Sequence, residues 1–451
     1  MIKITEYSGQ KVGVLGLGKA GSATVASLVA GGANVFRWDD NFTEKNLPAE
    51  HKSRNTKHYK YWDWKNLKAI VLSPGIPLTH PKPHEIVELA KLNNVPIMGE
   101  VELLYRACPK AKFVGITGTN GKSTTTSLIG HILQETGVNC QVGGNLGTPA
   151  LALEKLGGDG IFVLEMSSYQ LDLLQTAKFN VAVLLNITPD HLDRHGDMEG
   201  YIKAKQHIFD RQTAGDVAVL EEVVSCQLSV VSKLVKISAE KELADSVYVK
   251  DGILHDGKLS YDISEITTLT GKHNWQNAVA AYAACKALGV SPAKIYKAMQ
   301  SFAGLRHRLQ LVAEVGGVKF INDSKATNAE ATQNALAPYK NIYWILGGKP
   351  KSGGIESLEP YFGNITHAFL IGEASDEFAK TLEGKVPYSK CGTLEVAVKE
   401  AFSLTTNNQQ PATILLSPAC ASFDQFKSFE HRGDAFCGLV ERLVRETRNA
   451  A

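Results

Sequence analysis

Short apolar runs punctuate the chain, separated by longer stretches that read as helices. Val12-Gly13-Val14-Leu15, Asn34-Val35-Phe36 and Ala69-Ile70-Val71-Leu72 form a first set. Phe113-Val114-Gly115-Ile116, Ile161-Phe162-Val163-Leu164 and Val181-Ala182-Val183-Leu184-Leu185 form a second, closed by an alanine-rich helix after His273. Val318-Lys319-Phe320-Ile321, Ile342-Tyr343-Trp344-Ile345-Leu346, Ala368-Phe369-Leu370-Ile371 and Thr413-Ile414-Leu415-Leu416 form a third. Apolar strands that alternate with helices imply mostly parallel sheets covered on both faces, an α/β fold. The alternation restarts twice, which predicts three domains over residues 1–111, 112–303 and 304–451. No repeat of solenoid period and no low-complexity tract interrupts them.

Composition agrees with this picture and narrows the function classes. A chain of 451 residues with 44% hydrophobic content can bury several cores. No apolar run approaches the roughly 20 residues that cross a bilayer, and Met1-Ile2-Lys3-Ile4-Thr5-Glu6 lacks a secretory pattern, so a cytoplasmic location is expected. With 48 basic and 46 acidic side chains the net charge is +2, which gives no electrostatic case for nucleic acid or an anionic membrane. The seven cysteines are scattered and without a Cys-x-x-Cys pair, so they read as reduced thiols, with neither a disulfide framework nor a zinc site favoured. We expect a monomer.

The most specific chemistry lies in Thr117-Gly118-Thr119-Asn120-Gly121-Lys122-Ser123-Thr124, between an apolar strand and a helix. Backbone N–H groups of such a turn point at phosphate oxygens, Lys122 reaches the outer phosphates, and a Ser123 or Thr124 hydroxyl suits Mg²⁺. The usual first glycine of a phosphate loop would fall at position 116, which is Ile116. An ordinary strand-to-helix turn explains glycines, but not Lys-Ser-Thr directly after the last of them.

Other candidates also follow apolar strands. Gly16-Leu17-Gly18-Lys19-Ala20-Gly21, with Asp39 at the end of the next strand, has the dinucleotide-binding arrangement, although any pyrophosphate or uridine diphosphate can use it. Ser73-Pro74-Gly75 would face the same crevice, with a plain proline turn about as good an explanation. Glu165 ends a strand beside the phosphate loop and suits Mg²⁺, and His191, in Asp190-His191-Leu192-Asp193, suits a metal or a phosphoryl oxygen. Lys205 reads by itself as one solvated helix lysine among several. His273-Asn274-Trp275-Gln276-Asn277 suits a base contact or helix capping. In the third segment Arg308, Asp323, Lys325 and Thr327 can converge on a ligand, as can the strand ends around Lys349-Pro350-Lys351 and Ser417 to Phe426.

Taken together, the phosphate loop, Asp190-His191-Leu192-Asp193, His273-Asn274-x-x-Asn277 and Asn322-Asp323-Ser324-Lys325-Ala326-Thr327-Asn328 resemble the Mur ligase family. The run from Ser417 to Gly433 is similar to that of its D-glutamate-adding members. The resemblance implies a Rossmann-like first domain, a P-loop ATPase-like second and a dinucleotide-fold-like third. It implies an ATP-dependent ligase of peptidoglycan synthesis that activates UDP-N-acetylmuramoyl-L-alanine as an acyl phosphate and adds D-glutamate. By the same resemblance Gly118, Thr119, Asn120, Gly121, Lys122, Ser123, Thr124, Asn277, Arg308, Asp323 and Lys325 would bind ATP. Lys19, Ala20, Asp39, Ser73, Pro74, Gly75 and Asn145 would meet the UDP-sugar, and Thr327, Lys351, Ser422, Phe423 and Phe429 the D-glutamate. Ser123, Glu165, His191 and Lys205 would hold two Mg²⁺, with Lys205 carbamylated, and Lys122, His191 and Lys205 would be catalytic. A folylpolyglutamate synthase shares the loop but leaves the first domain without a role. A nicotinamide-dependent dehydrogenase explains nothing after Lys112, and a P-loop switch or motor leaves the first glycine turn and the third domain unused.

Overall fold

The computed structural model describes residues 1–42, 48–49, 52–145, 147–225, 230–350, 353–406 and 411–450. They form two compact units, Met1–Phe302 and Ala303–Ala451.

The first unit holds two sheets. Strands β1 (Lys11–Leu15), β2 (Asn34–Trp38), β3 (Leu67–Leu72) and β4 (Ile97–Met98) make a four-stranded parallel sheet in the order β2-β1-β3-β4. The second sheet contains β5 (Lys112–Thr117), β6 (Cys140–Gly144), β7 (Ile161–Glu165), β8 (Val181–Leu184), β9 (Val217–Glu221), β10 (Lys233–Ser238), β11 (Val247–Lys250), β12 (Ile253–Asp256) and β13 (Leu259–Asp262). Its order is β13-β12-β11-β10-β9-β8-β5-β7-β6, parallel except for the antiparallel β11-β12-β13 meander at one edge. Because β5 lies between β7 and β8, the segments leaving the ends of all three converge, and these are the phosphate loop, Glu165 and the run to His191.

One apolar cluster runs from Val12, Val14, Ala69 and Val71 of the first sheet through Leu103 and Leu104 to Phe113, Phe162 and Leu164 of the second. The helix Glu100–Ala107 that carries Leu103 and Leu104 also holds Glu102, a fully buried acid. Its carboxylate accepts from the amides of Gln175, Thr176 and Ala177, from the Thr176 hydroxyl and from Arg106 Nε. The first two predicted segments therefore share one core.

The second unit is built on β14 (Gln310–Val315), β15 (Val318–Asn322), β16 (Ile342–Gly347), β17 (Ile365–Ile371), β18 (Tyr388–Gly392) and β19 (Ala412–Leu416), in the order β14-β15-β19-β16-β17-β18. All pairs are parallel except β14 with β15. Side chains of β16 alternate between two apolar clusters, Ile342, Trp344 and Leu346 in one and Tyr343 and Ile345 in the other, so both faces are covered. No described cysteine forms a disulfide. Among the described residues no helix is long and apolar enough to cross a membrane.

Candidate active site

The phosphate loop is shorter than the standard pattern because Ile116 is buried within β5 and the turn proper begins at Gly118. Gly121 has φ +85°, and a Cβ there would lie 2.2 Å from Asn277 Oδ1, so the loop can close on the helix Lys272–Ala287 only with glycine. Asn277 is buried, accepts from Thr125 Oγ1 at 3.3 Å, and so braces the helix that starts at Lys122. The Asn120 amide donates to Asn186 Oδ1 at 2.8 Å, and Ser123 and Thr124 are buried at the start of the helix. Lys122 Nζ donates to the carbonyls of Gly118 (2.9 Å) and Thr119 (2.8 Å), which keeps its charge over the loop.

Lys205 corrects the plain reading of a solvated lysine. It is 1% exposed, lies 4.5 Å from the centre of the Tyr201 ring and donates to the Gly118 carbonyl at 2.8 Å. Burial, reinforced by the Lys122 charge, pushes its ammonium down to about 7. Tyr201, which the sequence did not single out, meets Thr119 Oγ1 at 3.2 Å, and burial pushes its phenol up to about 12. Asn145 Nδ2 donates to Glu165 Oε1 at 2.7 Å, whereas Glu165 Oε2 is buried without a hydrogen-bond partner. His191 is exposed in the left-handed region at φ +53°, with Nε2 3.4 Å from Asp190 Oδ2.

A cavity of about 500 Å³ gathers Lys19, Ala20, Pro74, Gly75, Lys122, Asn145, His191 and Lys205. Glu100, Ser168, Tyr169, Gln170 and Tyr201 also line it. Asp39 and Ser73 do not line it but brace the glycine turn that precedes Lys19 and Ala20. Asp39 Oδ2 accepts from the Leu17 amide at 2.6 Å, and Ser73 Oγ donates to the Gly16 carbonyl at 2.8 Å. Gly21 permits the close packing of this turn, since a Cβ would come 1.8 Å from the Gly16 carbonyl oxygen. Arg194 donates to the carbonyls of Gly75 (3.0 Å) and Pro74 (3.4 Å) while lying 4.4 Å over the Tyr169 ring, which ties the proline turn to the second sheet.

In the second unit Asp323 is buried, accepting from Ser417 Oγ (2.8 Å) and the Leu309 amide (3.2 Å), and burial pushes it up to about 7. Arg308 is near enough to act on its charge. Lys325 Nζ lies 5.7 Å from the Phe429 ring. Thr327 is half-buried, Ser422 buried and Phe423 exposed, while Lys351 lies outside the described residues. Arg432, which the sequence did not mark as a site residue, is almost wholly buried and donates to Ser324 Oγ and to the carbonyls of Ser324, Gly347 and Cys420, joining the loops after β15, β16 and β19. Its signal was an arginine in the first turns of an otherwise amphipathic helix, Phe429–Ala450.

Residues 116–285 match the Mur ligase middle domain, and residues 307–420 match the Mur ligase glutamate ligase domain. The UDP-N-acetylmuramoylalanine–D-glutamate ligase of Paramagnetospirillum magneticum is 49% identical over 450 residues, covering 98% of each chain. That of Rhodospirillum rubrum is 48% identical, covering 100% of this chain and 98% of its own. Among solved structures, the UDP-N-acetylmuramate–alanine ligase of Thermotoga maritima shares the fold with a TM-score of 0.59 at 18% identity, over 97% of this chain and 99% of its own. The MurF ligase of Thermotoga maritima, solved in complex with ADP, has a TM-score of 0.57 at 17% identity, over 99% and 98%. The chain belongs to the Mur ligase family, with UDP-N-acetylmuramoylalanine–D-glutamate ligases as full-length relatives.

Proposed function

We propose that this chain is an ATP-dependent ligase of peptidoglycan synthesis that adds D-glutamate to UDP-N-acetylmuramoyl-L-alanine through an acyl phosphate, acting as a cytoplasmic monomer. The observation that carries this reading is the single cavity in which the acceptor-side turns, at Lys19, Pro74 and Gly75, meet Lys122, His191 and Lys205. In the reaction a carboxylate oxygen of the alanyl group attacks the γ-phosphorus of ATP and ADP leaves. The amine of D-glutamate then attacks the acyl carbon, phosphate leaves with the bonding pair, and the nitrogen loses a proton.

The turn Gly118–Gly121 and Lys122 would cradle the phosphates, with Asn277 bracing the turn. Lys19, Ala20, Asp39, Asn145 and the Ser73-Pro74-Gly75 turn would hold the UDP-sugar. Arg308, Asp323 and Lys325 would add to the ATP contacts. Thr327, Lys351, Ser422, Phe423 and Phe429 would orient D-glutamate. We further propose three domains, 1–111, 112–303 and 304–451.

The donor set fits Mg²⁺. Glu165 Oε2 is a buried oxygen without a partner, and the Ser123 hydroxyl sits at the phosphate-loop helix. An ion held at a phosphate loop takes most of its ligands from phosphate and water, so few protein donors are required. Ser123, Glu165 and His191 would hold it, and a carbamylated Lys205 would serve a second ion. The ion would supply charge neutralisation at the phosphates. An ammonium at Lys205 would repel a cation, and its depressed pKa favours the neutral amine that adds CO₂.

Phosphate release tests the proposal. It should require both UDP-N-acetylmuramoyl-L-alanine and D-glutamate, and L-glutamate, D-aspartate or meso-diaminopimelate should not replace the latter. Release indifferent to both substrates, or dependent on a folate, would refute it.

A further inference from the structure

Ser168 lines the cavity, and its hydroxyl lies 2.9 Å from His195 Nε2. Neither residue was marked as functional by the sequence. His195 is buried and stacked on Tyr169, with ring centroids 5.5 Å apart, and its other nitrogen, Nδ1, faces Asp172 Oδ2 at 3.7 Å. Asp172 also faces His207 Nε2 at 3.8 Å.

A neutral imidazole carries one N–H and one lone pair, and its surroundings decide which nitrogen holds which. Burial, aided by the nearby Arg194 charge, pushes His195 down to about 4, so the ring is neutral near pH 7. Burial raises Asp172 only to about 6, which leaves it mainly ionised there. A carboxylate on the Nδ1 side attracts the N–H, so Nε2 is left as an acceptor. Ser168 has one proton to give and donates it to Nε2. What its oxygen retains for the cavity is acceptor capacity.

We propose that His195, oriented by Asp172, is a positioning residue that fixes Ser168 as a hydrogen-bond acceptor for an amide N–H of the acceptor substrate. The inference rests on the reading that the UDP-substrate fills this cavity. Ser168 begins the helix Ser168–Leu171, just beyond Glu165 at the end of β7, on the phosphate-loop side. The amide it meets is therefore the lactoyl–alanyl one, next to the carboxylate that reacts, rather than the N-acetyl group. Holding that N–H aims the carboxylate.

The test compares UDP-N-acetylmuramoyl-L-alanine with its ester analogue, in which L-lactate replaces L-alanine and oxygen replaces the N–H. Phosphate release gives KM, kcat and their ratio for each substrate. The wild type should prefer the amide by roughly tenfold in kcat/KM, the size of one hydrogen bond with an unmatched partner left behind. Ser168→Ala and His195→Phe should reduce the preference to less than about twofold, because the first has no oxygen and the second frees the hydroxyl to turn toward the cavity. His195→Gln, whose Oε1 can accept from Ser168, should restore most of it. Changes in the ester's own reactivity cancel when preferences are compared between variants.

A wild type without preference, a preference unchanged in Ser168→Ala or His195→Phe, or a glutamine variant as indifferent as the phenylalanine one would each overturn the inference. Asp172→Asn, which removes the charge with little change of shape, covers the case in which His195→Phe does not fold. It should narrow the preference, and an unchanged value would count against the proposal. Failure of the wild type to release phosphate with either substrate would instead refute the proposed function.

Discussion

Replacing Glu102 by glutamine should unfold the first unit at markedly lower denaturant. The side chain is fully buried, and its two oxygens face Arg106 Nε (2.8 Å), the amides of Gln175 (2.9 Å), Thr176 (3.0 Å) and Ala177 (3.0 Å), and the Thr176 hydroxyl. These are all donors. Whichever oxygen becomes an NH₂ group, it turns a set of acceptor contacts into donor facing donor, while the volume stays the same. Hydrogen bonds to a charged group contribute about 1.5–3 kcal/mol each, and losing two of them costs about 3–6 kcal/mol. Against a total stability of about 5–15 kcal/mol that is a large fraction.

The pH dependence adds an independent check. Burial alone would raise the Glu102 carboxyl, but the Thr176 hydroxyl and the amides of Gln175, Ala177 and Thr176 outweigh it and hold the group below its ordinary value. A carboxyl depressed in the folded state contributes stability that is complete above its unfolded pKa and is lost as pH falls through the folded one. Wild type should therefore lose stability more steeply in acid than Glu102→Gln. Urea unfolding followed by tryptophan fluorescence, from pH 7 down through the carboxylate range, measures both effects. A variant within about 1 kcal/mol of wild type at pH 7, or one with a parallel acid limb, would show that the contacts are not worth what their geometry suggests.

Gly121→Ala should fold yet lose roughly 100-fold or more in substrate-dependent phosphate release, because its Cβ would lie 2.2 Å from Asn277 Oδ1 and displace the loop; activity within a few-fold of wild type would contradict this. Lys205→Ala should abolish turnover, and short carboxylic acids should partly restore it; near-normal activity without rescue would sink the carbamate. Asp323 is raised to about 7 in the fold, so it binds more protons folded than unfolded and its contribution to stability falls as pH rises through that range. Asp323→Asn should lack this fall, seen as a flatter pH–stability curve from pH 4 to 8. Arg432→Lys should destabilise the second unit by about 3 kcal/mol or more, since one ammonium cannot reach the three loops that the guanidinium joins; thermal unfolding of the full chain reads it.

What the sequence makes visible is what depends on neighbours along the chain. Strands β5, β7, β8 and β16 are buried on both faces and so stand out as apolar runs, and the phosphate loop is a local signal because glycine, lysine and hydroxyl residues act within one turn. The β11-β12-β13 meander was not legible, since its strands are partly exposed and mix polar with apolar residues. Lys205, taken by itself, reads as solvated for a related reason. Its charge suggested solvent, yet Tyr201 and Ala204 lie on the same helical face and both are buried, so the spacing itself pointed inward. Nothing local could pair Ser168 with His195, because one starts a helix after β7 and the other ends a helix after β8.

The shared core explains why the cavity needs more than the residues that line it. Its walls come from two sheets, and a substrate that touches both requires their loops to stay aligned within a fraction of an ångström. Apolar packing through Leu103 and Leu104 joins the sheets without directional preference, so it resists separation better than sliding. Glu102 and Arg194 supply the missing direction. Each reaches across to backbone of the other sheet's segment, Glu102 to the amides at 175–177 and Arg194 to the carbonyls of Pro74 and Gly75. Backbone contacts of this kind fix the loops whatever side chains they carry. Weakening either clamp should therefore raise KM for the UDP-substrate ahead of KM for D-glutamate, whose candidate residues fold around a separate core.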